Sequence, residues 1–332
     1  MIMKNKIAVE EHFGIPETLG LLEKAFDPGY WPVFSGKIRD IADFRLEEMN
    51  RFGIEKMVLS LNSPGIQAIY DTKEAIAVAK KANDFLAEVI AKYPDRFLGY
   101  AAIPLQDIDE ALKEMHRAVH ELGFVGANIN GYVQIDSFDN YKYLDDAVFR
   151  PFWAEAEKLD APVYLHPRDP MPGAFRAIDG HPWLGSATWA FGVETASHAL
   201  RLLSSGIFDE YPNAKLILGH LGEALPFCVW RAQNHIAKKP LGIPAKRPLM
   251  EYMQRNVWFA TSCQFRTAPL WNTIMEFGSD RILFAVDYPY ENIDEGCEWF
   301  DHCSISESDR NKIGRENAIR LFRLEGRGPC SV

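Results

Sequence analysis

The stretch Arg281-Ile282-Leu283-Phe284-Ala285-Val286-Asp287 sets five apolar residues in a row and ends them on a carboxylate. A strand apolar on both faces belongs in a parallel sheet covered on both sides, not in a half-exposed antiparallel one. Residues 6–12, 56–62, 97–104, 125–130, 162–166, 215–220 and 257–262 read the same way, so the chain carries eight such strands. Amphipathic helical stretches separate them. Over residues 72–93 the apolar Val78, Ala82, Phe85, Leu86 and Val89 recur at helical spacing, with Asp71 and Thr72 as caps and Pro94 closing the helix. Ser306-x-x-Asp309 resembles a capping box ahead of Ile313, Ile319 and Phe322. Eight strand–helix alternations without a composition break predict an α/β fold, a closed (β/α)8 barrel spanning residues 1–332 as one domain. Neither dinucleotide nor P-loop glycine signature occurs.

Composition agrees with a soluble globular chain: 332 residues, 47% hydrophobic and 25% charged. A net charge of −10 with no long basic run argues against a nucleic-acid or membrane partner. No apolar run reaches the length of a membrane span, and the N-terminal apolar stretch meets Glu10 too soon for a secretory signal. Cys228, Cys263, Cys297, Cys303 and Cys330 are odd in number and lack C-x-x-C spacing, which predicts reduced thiols and a cytoplasmic protein.

Several strand runs end on groups that are costly to bury alone. Glu10 and His12 lie two apart in the first strand and so face the same way, while Glu11 faces oppositely. His166 ends the fifth strand and Asp287 the eighth. In a barrel these ends converge on one face, where the two oxygens and two nitrogens suit one Mn²⁺ or Zn²⁺, with Mg²⁺ a further option. His220 follows the sixth strand, and Glu223, in the first turn of the next helix, is placed to orient its imidazole. Arg231 is a candidate partner for a substrate carboxylate. The pair His116 and His120 lacks the glutamate of a metalloprotease helix and reads as a solvated face; His198 reads as a packing position. The long Pro- and Gly-rich stretch 166–186, with Phe175 and Trp183, predicts a lid or a subunit contact. His181 within it faces either a ligand or a neighbouring subunit.

The segments Val9-Glu10-Glu11-His12-Phe13, Tyr164-Leu165-His166-Pro167-Arg168, Leu218-Gly219-His220-Leu221-Gly222-Glu223 and Asp287-Tyr288-Pro289 together resemble the amidohydrolase superfamily, and within it the non-oxidative aromatic acid decarboxylases. Similarity runs over almost the whole chain. It implies Glu10, His12, His166 and Asp287 as metal ligands, Asp287 as proton donor, and His220 with Glu223 as an active-site dyad. It also implies substrate contacts from Arg231, Asn130 and Phe26, no organic cofactor, and a homo-oligomer, tetramer or dimer. The expected reaction is reversible decarboxylation of an ortho-hydroxybenzoate, 2,6-dihydroxybenzoate first, with 2,3-dihydroxybenzoate or salicylate as alternatives. Two departures stand out. Hydrolytic relatives carry His-x-His and a bridging lysine where this chain has Glu-x-His and Asn128-Ile129-Asn130, which implies one metal and disfavours the rival reading, hydrolysis of an amide or lactone. The resemblance also leads one to expect glycine at Cys263. A non-catalytic barrel would require losing ligands that are all present.

Overall fold

The protein is described here by a computed structural model covering residues 2–24 and 26–325; Cys330 lies outside them. The barrel strands are β1 (Lys6–Phe13), β2 (Ile54–Leu61), β3 (Phe97–Ala102), β4 (Gly126–Asn130), β7 (Val163–His166), β8 (Leu216–Leu218), β9 (Val257–Ala260) and β10 (Ile282–Leu283). They are parallel and stand in chain order, while β5 (Val133–Gln134) and β6 (Tyr141–Lys142) form a small antiparallel ladder outside the barrel. All eight apolar runs therefore form barrel strands. The last is shorter than expected. Thr261 takes over the bonding beside β10, its hydroxyl meeting both the N–H and the carbonyl of Ala285 at 2.9 Å, while the Phe284 N–H turns to the carbonyl of Ile313. Residues 284–287 run on as buried chain. The seam closes through Val9 N–H to Phe284, Asp287 N–H to Glu10 and His12 N–H to Tyr288.

Apolar side chains pointing inward fill the barrel: Ile7, Val9, Val58, Tyr100, Tyr164, Ile217 and Leu283, with Leu321 and Phe322 from the C-terminal helix against them. The larger core lies between strands and helices, where Met57, Leu59, Ala79, Ala82 and Leu86 belong. Each fully buried side chain of this kind is worth about 1.5–3 kcal/mol, so the two layers outweigh a handful of buried polar groups. The helix Thr72–Lys92 starts as expected, with the Asp71 carboxylate accepting the Glu74 N–H at 2.9 Å. Its buried face is Ala75, Val78, Ala79, Ala82, Asn83 and Leu86, which leaves the expected Phe85 and Val89 half-buried at its border. Ser306 caps the helix Glu307–Asn311 through the Asp309 N–H at 3.0 Å.

Near the start of β1 the Lys6 ammonium is wholly buried and wholly satisfied. It donates to both oxygens of Asp301 at 2.9 and 3.1 Å and to the Met3 carbonyl at 2.9 Å. After β7 the chain makes three short 3₁₀ turns, Arg176–Ile178, Pro182–Leu184 and Ser186–Thr188. Trp183 and Trp189 there are 65% and 57% exposed, and the His181 ring packs on Trp183 rather than reaching inward. His116 and His120 are exposed, as read from the sequence, and His198 is buried with Nε2 accepting the Leu144 N–H at 2.9 Å. No helix among the described residues is long and apolar enough to cross a membrane.

Candidate metal centre and active site

The first strand carries the device that builds the site. Its partners on β2 jump from Ala8 opposite Met57 to Glu11 opposite Leu59, three residues against two. That extra residue is a bulge, and a bulge shifts which residues face inward. Val9 packs in the barrel interior, yet the next residue, Glu10, also meets interior side chains: its Oε2 accepts from the hydroxyls of Tyr164 and Ser262. His12 follows Glu10 inward. Glu11 points to the seam and accepts the N–H groups of Val286 and Tyr288, each at 2.9 Å. Burial pushes its carboxyl up to about 8 despite those bonds.

Glu10, His12, His166 and Asp287 are all buried, and each offers a ligand atom within 4.8 Å of the others. Three of those atoms, Glu10 Oε1, His12 Nε2 and Asp287 Oδ1, have no hydrogen-bond partner within the protein. His12 Nε2 and Asp287 Oδ1 are 2.9 Å apart but are not aligned to bond one another. Each histidine is held by its other nitrogen: His12 Nδ1 meets the Ser60 hydroxyl at 3.0 Å, and His166 Nδ1 meets the Pro167 carbonyl at 2.9 Å. A carbonyl only accepts, so His166 carries its proton on Nδ1 when neutral, leaving the Nε2 lone pair free 3.6 Å from Glu10 Oε1. Buried polar atoms left bare cost a few kcal/mol apiece, about 1–3 for each lost bond. Lone pairs aimed at one point, each ring fixed from behind, fit a divalent cation with mixed oxygen and nitrogen ligands.

The second group sits beside the first. His220 Nδ1 lies 2.5 Å from Glu223 Oε1, and His220 Nε2 lies 3.6 Å from Asp287 Oδ2 and 4.0 Å from Glu10 Oε1. Residues 220–224 are not the first turn of a helix, as expected from the sequence. Their φ angles are all positive, from 53° to 84°, and the following helix begins at Leu225. This left-handed turn, rather than helical spacing, folds Glu223 back onto the imidazole. Cys263 and Asp287 also have positive φ, 57° and 79°, and neither is glycine. Such backbone costs about 1–3 kcal/mol per residue and gathers at functional sites.

Charge and burial oppose each other here. Burial raises the Glu10 carboxyl and holds the His166 imidazole well below its ordinary range, His12 adding to the latter. Burial would raise Asp287 too, but His12 and His220 outweigh it and keep that carboxyl below the usual range. Burial would depress His220; Glu223 and Glu10 reverse this and hold it well above. A divalent cation among the carboxylates opposes that last effect, since it repels a second positive charge.

Asn130 ends β4 directly beside His166, with its N–H on Gln67 at 3.1 Å. Phe26 stacks on Phe34 and reaches the centre only through Tyr290, 6.4 Å away, whose ring stands edge-on to His12 at 5.3 Å. Arg231 is exposed on the helix Leu225–Lys238 and makes no ion pair with the described residues. The structure thus gathers Glu10, His12, His166, Asp287, His220, Glu223 and Asn130, but not Arg231 or Phe26. Sequence reasoning missed Tyr164 and Ser262, which hold Glu10, and Tyr290, a half-buried ring that stands edge-on to His12. Only the polar residues interrupting apolar runs signalled them. His220 also lines a cavity of about 510 Å³ with Leu221, Phe227 and Gln264, whereas a larger one, about 780 Å³ between Val33 and Tyr93, holds none of these groups.

A parallel barrel with carboxylates and imidazoles converging where its strands end defines a metal-dependent barrel enzyme. The chain belongs to the amidohydrolase family, whose model matches residues 36–324. It is 53% identical over 327 residues to the gamma-resorcylate decarboxylase of Rhizobium sp. (strain MTP-10005), covering 98% of this chain and 100% of that one. Among solved structures, 2,6-dihydroxybenzoate decarboxylase complexed with 2,6-dihydroxybenzoate superposes with a TM-score of 0.94 at 52% identity, over 97% of this chain and 100% of that one. The dihydroxybenzoic acid decarboxylase of Polaromonas sp. JS666, with bound manganese and the inhibitor 2-nitroresorcinol, gives 0.95 at 49% identity, covering 98% of each.

Proposed function

We propose that this protein is a carboxy-lyase that converts 2,6-dihydroxybenzoate to resorcinol and CO₂ without redox chemistry, reversibly. The observation that carries the reading is the cluster of bare, buried ligand atoms beside Asp287 and the His220–Glu223 pair; near relatives matched over their whole length supply the substrate. Glu10, His12, His166 and Asp287 would hold the cation, manganese as in the Polaromonas neighbour. When bound it supplies Lewis-acid stabilisation of charge on the substrate carboxylate and ortho oxygen.

The chain's own residues handle protons and position. Asp287 is held ionised by His12 and His220, so it must acquire the proton that it delivers. In this reading the ortho hydroxyl of the substrate releases one on becoming a phenolate, and Asp287 takes it. Asp287 then hands that proton to C1. The bond from C1 to the carboxylate breaks, its electron pair restores the aromatic ring, CO₂ leaves, and the phenolate oxygen takes a proton from solvent to give resorcinol. His220, oriented by Glu223, donates a hydrogen bond to the substrate and steadies Asp287. Asn130 contributes polar contact at the mouth. Arg231 and Phe26 are substrate contacts in this reading, Arg231 anchoring a polar group and Phe26 packing on the ring.

Exposed Trp183, Trp189, Phe227 and Trp230 support a homo-oligomer, dimer or tetramer, because apolar groups of this size seldom face water unpartnered. The four cysteines of the described residues are free thiols, in keeping with a reducing compartment such as the cytoplasm. A CO₂-release assay on 2,6-dihydroxybenzoate, 2,3-dihydroxybenzoate and salicylate tests the reading. Fast release from the first is expected; a carboxylic acid product from an amide or lactone, with no CO₂ from any of the three, would overturn it.

A further inference from the structure

Asp287 divides its two oxygens between two environments. Oδ1 lies 2.9 Å from His12 Nε2, inside the four-residue cluster. Oδ2 faces away, 3.0 Å from the Cys263 thiol and 3.6 Å from His220 Nε2. Atoms of His220, Cys263 and Asp287 all lie within 4.8 Å of one another. Behind them Glu223 holds His220 by Nδ1 at 2.5 Å. That contact turns Nε2 toward the thiol and the carboxylate, as a carboxylate behind a metal-ligating histidine does. Cys263 reaches this spot only through left-handed backbone, φ 57°, where glycine would be at ease. The cavity of about 510 Å³ that His220 shares with Gln264 offers a hydrated ion a way in.

We propose that His220 Nε2, Cys263 Sγ and Asp287 Oδ2 form a second cation site, selective for thiophilic ions such as Cd²⁺ and Zn²⁺, whose occupation stops turnover. Sulfur, nitrogen and oxygen in one site favour soft or borderline ions over the manganese that suits the neighbouring cluster. Binding displaces the thiol proton and the Nε2 proton of His220, which both leave to solvent, and changes no oxidation state. Inhibition follows because the ion takes the Asp287 oxygen and the His220 nitrogen that the proposed decarboxylation needs. That half rests on the functional reading above; the binding half does not.

The test is a Cd²⁺ titration of the manganese-loaded protein, following bound metal and the ultraviolet thiolate-to-cadmium charge-transfer band. One further equivalent of Cd²⁺ should bind with the band and with loss of CO₂ release. Cys263→Ser and Cys263→Gly, the latter also relieving the backbone, should each abolish the band. Cys228→Ser, at an exposed thiol, should keep it. Glu223→Gln should weaken Cd²⁺ binding about 10–100-fold by loosening His220. Absence of the extra equivalent, or a band unchanged in both Cys263 variants, overturns the proposed site. Binding with the band but undiminished CO₂ release leaves the site standing and overturns the roles given to Asp287 and His220.

Discussion

Lys6 and Glu10 lie four residues apart in one strand, both buried, and the protein treats them in opposite ways. At Lys6 every donor has a partner within the chain, from Asp301 and the Met3 carbonyl. At Glu10 one oxygen is fully held by Tyr164 and Ser262, while the other is bare, as are His12 Nε2 and Asp287 Oδ1 beside it. Burying charge is costly in both places. Around Lys6 the fold has met that cost internally, which makes the region structural. At the mouth it is left for a guest to meet, which makes the region functional. Glu11, next to Glu10 in sequence, sides with Lys6, since two backbone N–H groups satisfy it.

The sharpest break comes from Asp287→Asn. Removing the proposed proton carrier should lower kcat about 10²–10⁴-fold, measured at saturating manganese with metal content checked in parallel. Near-normal kcat with metal bound would remove Asp287 from the chemistry. Asp301→Asn attacks the other region. It strips the charge opposing a buried ammonium and should cost about 3–5 kcal/mol in urea unfolding, with metal stoichiometry unchanged. If it instead lost metal and kept its stability, the division between the two regions would fail.

Chelation reverses the roles. Taking away a cation present at about 1,000 times its Kd should lower stability by about 4 kcal/mol, read as a fall in Tm. An unchanged Tm would mean that the bare atoms at the mouth need no guest.

The smallest effect is that of pH on His198, a buried histidine outside both regions. Burial holds it down to about 3 from an ordinary value of 6.5, with Arg201 adding to this. It stays neutral in the folded chain while the unfolded chain protonates below 6.5. Its contribution is therefore complete above pH 6.5 and is lost as pH falls toward 3, at about 1.4 kcal/mol per unit. Between pH 7 and 5 the wild type should lose about 2 kcal/mol relative to His198→Gln; parallel urea midpoints would refute this.

Most of the barrel was legible because strands buried on both faces announce themselves, as Ile282-Leu283-Phe284-Ala285-Val286 does. The four converging residues were legible because each ends such a run on a group that resists burial. Three things were not. The bulge in β1 adds one residue with no mark of its own, so parity alone sets Glu10 opposite Val9. The left-handed turn at 220–224 contains one glycine and four residues that ordinarily avoid it, so helix spacing was the natural reading. Tyr164 and Ser262 matter only through Glu10, a partner 154 and 252 residues away. Phe26 came from resemblance alone and Arg231 from its carboxylate-binding chemistry as well, and the folded chain leaves both outside the cluster.

Anomalous diffraction at the manganese edge, on crystals of the loaded protein, tests the central claim most directly. The account predicts one peak, at roughly 2.0–2.3 Å from atoms of Glu10, His12, His166 and Asp287. No peak there, or one held instead by His220 and Cys263, would contradict it.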